Sequence, residues 1–235
     1  MTRLLSTIRC DVRLQFRNGF YYATVFILVF WAVFVKLLPA FNWGLVMPAL
    51  MLGNLLVTTY YFVAGLVLLE RAEGTLEAQV VTPLRTWEYL ASKVLTLTVL
   101  AMVESILFVL IAIGPNFSAL PLVVGGVSAC VLYTLIGFVA VARYDSISEY
   151  LFPSCLYLVV LSVPFIPLSG LADGPLFYLH PLQPPLSLIK AAFMPVARWE
   201  LVYGVICSAV WTVPCFFWSL RAFDRFVIAR EGAVR

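Results

Sequence analysis

The chain has 235 residues, 63% hydrophobic and only 11% charged, with a mean hydropathy of +1.01 and a net charge of +3. Soluble domains average roughly half apolar and a quarter charged residues, so this composition excludes an ordinary globular enzyme and points to the membrane class. The small net charge matters less than where the charges sit, and no nucleic-acid partner is expected.

Residues 2–17 predict a helix lying at the membrane interface. Leu4, Leu5, Ile8, Val12 and Phe16 gather on one side of a helical wheel, and Arg3, Arg9, Arg13 and Arg17 gather opposite. That separation suits the headgroup boundary, with arginines toward anionic lipid. The first apolar run is too long for a signal peptide and no A-x-A site follows it, so no cleavage is expected.

A first span is expected over 20–38, ended by Pro39, with Lys36 able to snorkel to the surface. A second covers about 45–69. The segment Leu69 to Lys93 then concentrates charge: Glu70, Arg71, Glu73, Glu77, Arg85, Glu88 and Lys93. Read as a helix, it sets Ala72, Leu76 and Val80 along one edge and Glu70, Glu73 and Glu77 along the next. Gly74-Thr75 could bend it, and Thr82-Pro83 reads as an N-cap followed by proline at the first helical position. A solvated loop with ordinary charges fits the same residues.

The third span is expected over 92–113. At helical rise, Glu104 lies about 15–18 Å from its inner end, near mid-bilayer, where an acid marks either a transport pathway or a polar tie between helices. The fourth span, 119–142, carries Gly125-Gly126, Ser128 and Ala129, small residues that allow close packing. Ser146 with Glu149 reads as a capping box opening a fifth span, 148–168, which Pro153, Pro164 and Pro167 interrupt. Residues 169–197 read as one or two proline-punctuated short helices entering the outer leaflet and returning. The sixth span, 199–220, precedes a tail bearing Arg221, Arg225, Arg230 and Arg235.

The expected fold is therefore an all-α membrane protein, a single transmembrane domain of six helices. Of the 15 lysines and arginines, all but Lys36, Lys190 and Arg198 fall on the side of the two termini and of the loops after spans two and four. The positive-inside rule then puts both termini in the cytoplasm of a cell-membrane protein.

The string ERAEGTLEAQVVTPLRTWEYLASK resembles the first cytoplasmic loop of ABC-2-type permeases, in which E-R-x-x-G-T-[LI]-[ED] precedes a T-P-L/V-led helix ending in lysine. The matching residues are Glu70, Arg71, Gly74, Thr75, Leu76, Glu77, Thr82, Pro83, Leu84, Glu88, Tyr89, Leu90 and Lys93. Thr82-Pro83-Leu84-Arg85 with Trp87-Glu88-Tyr89-Leu90 is also similar to actinobacterial permeases of fluoroquinolone export. The resemblance implies a fold of the ABC-2, or type V exporter, kind: an interfacial N-terminal helix, a coupling helix within 69–91, and a broken outer hairpin before the last span. It also implies a drug-efflux permease whose coupling segment (Glu70, Arg71, Glu73, Gly74, Thr75, Leu76, Glu77, Val80, Thr82 and Pro83) docks on an ABC ATPase. Two ATPase copies and a second permease, identical or not, complete such an assembly in the lipid bilayer.

No lysine follows a glycine, so a phosphate-binding loop is missing and ATP with Mg is expected on the ATPase subunit, leaving this chain without a cofactor. The lone His180 and the scattered cysteines offer neither a metal site nor a catalytic triad. Other ABC-2 cargoes (a lipid, a glycan precursor, a peptide) fit equally, as does a membrane scaffold that recruits a cytosolic partner. Cysteine labelling of intact cells on a cysteine-free background checks the topology. Gly174→Cys should react with an impermeant reagent while Gln79→Cys and Arg230→Cys stay protected; labelling at 230 contradicts the orientation.

Overall fold

The computed structural model describes residues 2–37, 43–75, 85–172 and 174–228, which are almost entirely helical. Helix α1 (Thr2–Arg17) leads through Gly19, in the left-handed region at φ +79°, to α2 (Phe20–Leu37). Next come α3 (Trp43–Leu55), a π-helical turn (Leu56–Tyr61) and α4 (Phe62–Ala72), which form one apolar rod. Helix α5 (Thr86–Ile113) and α6 (Ala119–Val141) follow. Then come α7 (Ile147–Leu161), the short α8 (Phe165–Leu168), a 3-10 turn (Pro175–Leu179), α9 (Gln183–Phe193) and α10 (Arg198–Phe223).

Five of these rods are long and apolar enough to cross a membrane. The expected fifth span is different. Helix α7 has 15 residues, about 22 Å of rise against a hydrocarbon core of about 30 Å. Ser162 to Pro164 break it, because Pro164 cannot supply a backbone N–H to continue the ladder. His180 closes the break: its Nδ1 accepts from the Leu182 N–H at 3.2 Å, so Nε2 carries the proton and donates to the Val160 carbonyl at 3.1 Å. The capping box before α7 forms in altered shape. Ser146 Oγ accepts from the Glu149 N–H, but the Glu149 carboxylate reaches back to the Asp145 N–H, both at 3.3 Å.

Helix α6 is the central post, packed on α3, the π turn, α4, α5, α9 and α10. Its glycines set how near those neighbours come. A Cβ on Gly125 would lie 2.8 Å from the Ile189 backbone nitrogen of α9, and one on Gly137 would lie 2.9 Å from the Tyr60 carbonyl oxygen. Bilayer lipid supplies no hydrophobic drive between helices, so such van der Waals approach is a main source of cohesion. Helix α9 is buried on this post, with Leu186, Leu188 and Ile189 shielded. Hydrogen bonds add to the grip: the Ser118 N–H donates to Ala192 O at 2.9 Å, and Ser219 Oγ of α10 donates to Leu135 O at 3.0 Å.

Helices α2 and α10 stand outermost and bare long apolar faces, including Val25, Phe26, Val29 and Phe30 on α2 and Val205, Ile206, Val210 and Val213 on α10. A multi-pass membrane protein presents such faces to lipid.

Gly137→Val should therefore lower the unfolding temperature in detergent, at a cost of about 2 kcal/mol or more, because the backbone carbonyl opposite cannot yield. Gly53→Ala, where a Cβ meets nothing within 4 Å, should be neutral or slightly stabilising.

Candidate functional site

The charged segment after α4 is anchored by a cluster that the sequence hides. Helix α1 has three faces. Its arginines (Arg3, Arg9, Arg13 and Arg17) form an exposed basic arc, and Leu5, Val12 and Phe16 form an exposed apolar arc beside it. Asp11 and Gln15, one turn apart, form the third, which is buried against α5. The two-sided wheel is thus corrected to a three-sided one.

Asp11 meets Lys93 of α5, whose Nζ lies 2.6 Å from Asp11 Oδ1 and also bonds Glu70 Oε1 of α4. The Lys93 side chain is 0% exposed, Glu70 1% and Asp11 3%. Two hydroxyls complete the carboxylates: Tyr89 OH donates to Glu70 Oε2 at 2.6 Å, and Ser92 Oγ donates to Asp11 Oδ2. The Tyr89 ring lies 5.0 Å from Nζ, adding a cation–π face, and Gln15 Nε2 donates to Thr96 Oγ1 at 2.9 Å. A buried ion survives only when paired and hydrogen-bonded, so these bonds oblige α1, α4 and α5 to meet at one point.

The expected acidic docking edge is accordingly corrected at Glu70. Its carboxylate faces inward to Lys93 and Tyr89, because burial of the ammonium demands it. Arg71 is also used within the chain, donating to the Tyr144 carbonyl and to Asp145 Oδ1, the latter at 2.9 Å, which ties α4 to the turn before α7. Glu73 is partly exposed and pairs with Arg17. Gly74 ends the helix at φ +66°, and Thr75 Oγ1 donates back to the Glu70 carbonyl at 3.0 Å. Leu76, Glu77, Val80, Thr82 and Pro83 lie outside the described residues. The helix start expected at Thr82-Pro83 falls on those residues; beyond them Arg85 is extended (φ −80°, ψ 142°), Glu88 Oε2 accepts its N–H at 3.0 Å, and α5 begins at Thr86.

Glu104 occupies a second, very different site. From Lys93 it lies about 16 Å farther along α5. It is 2% exposed, and its carboxyl faces Asn54 of α3 and Thr58 of the π turn without closing a hydrogen bond to either. Thr58 Oγ1 donates instead to the Asn54 carbonyl at 2.9 Å, and Asn54 Nδ2 donates to Ser105 Oγ at 3.3 Å. A π-helical turn is a frequent companion of functional sites.

Comparison with known proteins places the chain in a family. Residues 2–231 match the Fluoroquinolones export permease protein family. The chain belongs to that family. It is 32% identical over 237 residues, covering all of both chains, to proteins named Fluoroquinolones export permease protein in Mycobacterium tuberculosis strains CDC 1551 / Oshkosh and ATCC 25618 / H37Rv.

Removing the ammonium alone should be costly for this family member. Lys93→Met leaves two carboxylates buried without a cation and should cost about 3–5 kcal/mol, read as a lower unfolding temperature by tryptophan fluorescence. Combining it with Asp11→Leu and Glu70→Leu should restore most of that loss. Arg17→Ala, at an exposed pair, should change stability by less than about 1 kcal/mol.

Proposed function

We propose that the chain is the membrane-spanning subunit of an ATP-driven exporter that removes drugs or other hydrophobic small molecules from the cell. Two such permeases pair, both termini face the cytoplasm, and a separate ABC ATPase seats on the segment between α4 and α5. ATP with Mg binds the ATPase, and this chain supplies the path. Membership of an export permease family supports the transport reading, and the names of the Mycobacterium tuberculosis relatives support a drug as cargo.

The observation that carries the coupling role is the Asp11–Lys93–Glu70 cluster. It clamps together the two helices that bracket residues 76–84 and adds α1 to them. A push on that segment is then delivered to α1, α4 and α5 as one body, because parting them would strand a buried charge. The rim of the docking surface would be electrostatic, with Glu73 and Glu77 guiding orientation more than strength. Leu76 and Val80 would supply the apolar anchor in the ATPase groove.

Cells that carry the chain with its ATPase should accumulate less norfloxacin than cells lacking either. Leu76→Asp should leave insertion unchanged but abolish co-purification of the ATPase and return norfloxacin accumulation to the level of the deletion. Glu77→Lys should weaken assembly more mildly, and less at high salt. Wild-type assembly and efflux in Leu76→Asp would overturn the coupling assignment.

A further inference from the structure

Helix α1 is held at a fixed rotation. Asp11 bonds Lys93 and Gln15 bonds Thr96, so one face is pinned to α5 and the other two arcs are presented outward. With about 100° per residue, the exposed side chains follow one another around the helix in a definite order. Val12, Leu5 and Phe16 come first after the pinned face, then Arg9 and Arg13, and last Arg17 and Arg3. Arg9 lies about 20° and Arg13 about 60° beyond Phe16, against about 100° for Arg17 and about 140° for Arg3.

Contacts with α2 show which arc meets lipid. The Phe16 ring lies 5.9 Å from the rings of both Tyr21 and Tyr22 at the start of α2. Tyr22 is itself exposed, and the bare apolar face of α2 runs on from it through Val25, Phe26 and Val29. The apolar arc of α1 is thus continuous with the lipid-facing surface, and the residues next to it around the helix stand at headgroup depth. Those residues are Arg9 and Arg13. Both are exposed and neither forms an ion pair among the described residues, whereas Arg17 is engaged by Glu73.

We propose that Arg9 and Arg13 form a binding site for the headgroup of an acidic phospholipid, with Leu5, Val12 and Phe16 against its acyl chains. The two arginines sit about 6 Å apart along the helix axis, near enough to grip one phosphate from two sides. Guanidinium suits the task because its planar fork donates paired hydrogen bonds to phosphate oxygens. Phosphatidylglycerol brings a net negative charge to the pair, whereas the ammonium of phosphatidylcholine cancels that charge and sets a cation among arginines. A lipid also supplies, in one molecule, the order seen around the helix: apolar first and anionic next. The site depends on how α1 lies on the membrane and on neither the cargo nor the ATPase.

The full-length chain in nanodiscs, with a fluorophore on Cys10 as its sole cysteine, provides the test, because Cys10 is exposed beside the arginines of α1. Phosphatidylglycerol or phosphatidylcholine, each with the same spin label high on one acyl chain, is added at equal low mole fraction and the quenching compared. The acidic lipid should quench at least about threefold more strongly, and lose that advantage as salt rises. Arg9→Gln with Arg13→Gln should bring the two lipids to near equality, while Arg9→Lys with Arg13→Lys keeps most of the preference. Arg17→Gln, at the pair with Glu73, should change it little. Equal quenching by both lipids in the wild type, the outcome for a basic face that meets an acidic protein instead, would overturn the site. So would a preference that survives the paired Gln substitutions. A preference indifferent to salt would overturn it too, whatever the variants do.

Discussion

A lysine with no exposed surface is the constraint on which this structure depends. Lys93 cannot be buried alone, and the sequence answers with a carboxylate from each of two other helices, Asp11 from α1 and Glu70 from α4. Three elements distant in the chain are thereby pinned to one another at a point where no slack is affordable. Replacing such a cluster by apolar residues commonly costs little stability. Its presence fits a role in holding register rather than in adding stability, and the register held is that of the two helices flanking residues 76–84.

The rest of the bundle follows a different rule. Helix α6 brings neighbours into contact through glycines, and α9 is pressed onto it at Gly125 while the π turn is pressed onto it at Gly137. The outward faces of α2 and α10 stay apolar. Charge is placed sparingly: the Asp11–Lys93–Glu70 cluster near one end of α5 is fully paired, and Glu104 deeper along the same helix closes no hydrogen bond among the described residues. One helix thus carries a settled charge and an unsettled one.

Much of the architecture was legible because span length and hydropathy are sequence properties. The spans read at 20–38 and 119–142 match α2 and α6 to within a residue. Helix α5 starts at Thr86, before the apolar run at 92 and after the start read at Thr82-Pro83, because the Glu88 carboxylate caps the Arg85 N–H. The fifth span was overestimated, since apolar composition continues across Ser162 to Pro164 although the helix does not. The π turn at Leu56–Tyr61 has no compositional mark.

The site was less legible. Glu70 is legible as a charge but not in its direction, because helical periodicity puts it beside Glu73 and cannot reveal a lysine of the next helix packed against it. A wheel sorted into apolar and basic halves hides Asp11 and Gln15. Their signal was present: two polar residues at i and i+4 in the sector that the arginines avoid. Glu104 stood out at once, because a lone acid in an apolar run is visible without any partner.

Hydrogen exchange of the full-length chain, wild type against Lys93→Met, tests most directly whether the cluster binds α1, α4 and α5 into one body. If it does, amides around Asp11 in α1 and around Glu70 in α4 should lose protection together with those around Lys93, while α9 and α10 keep theirs. Faster exchange confined to α5, with α1 and α4 as slow as in the wild type, would contradict it.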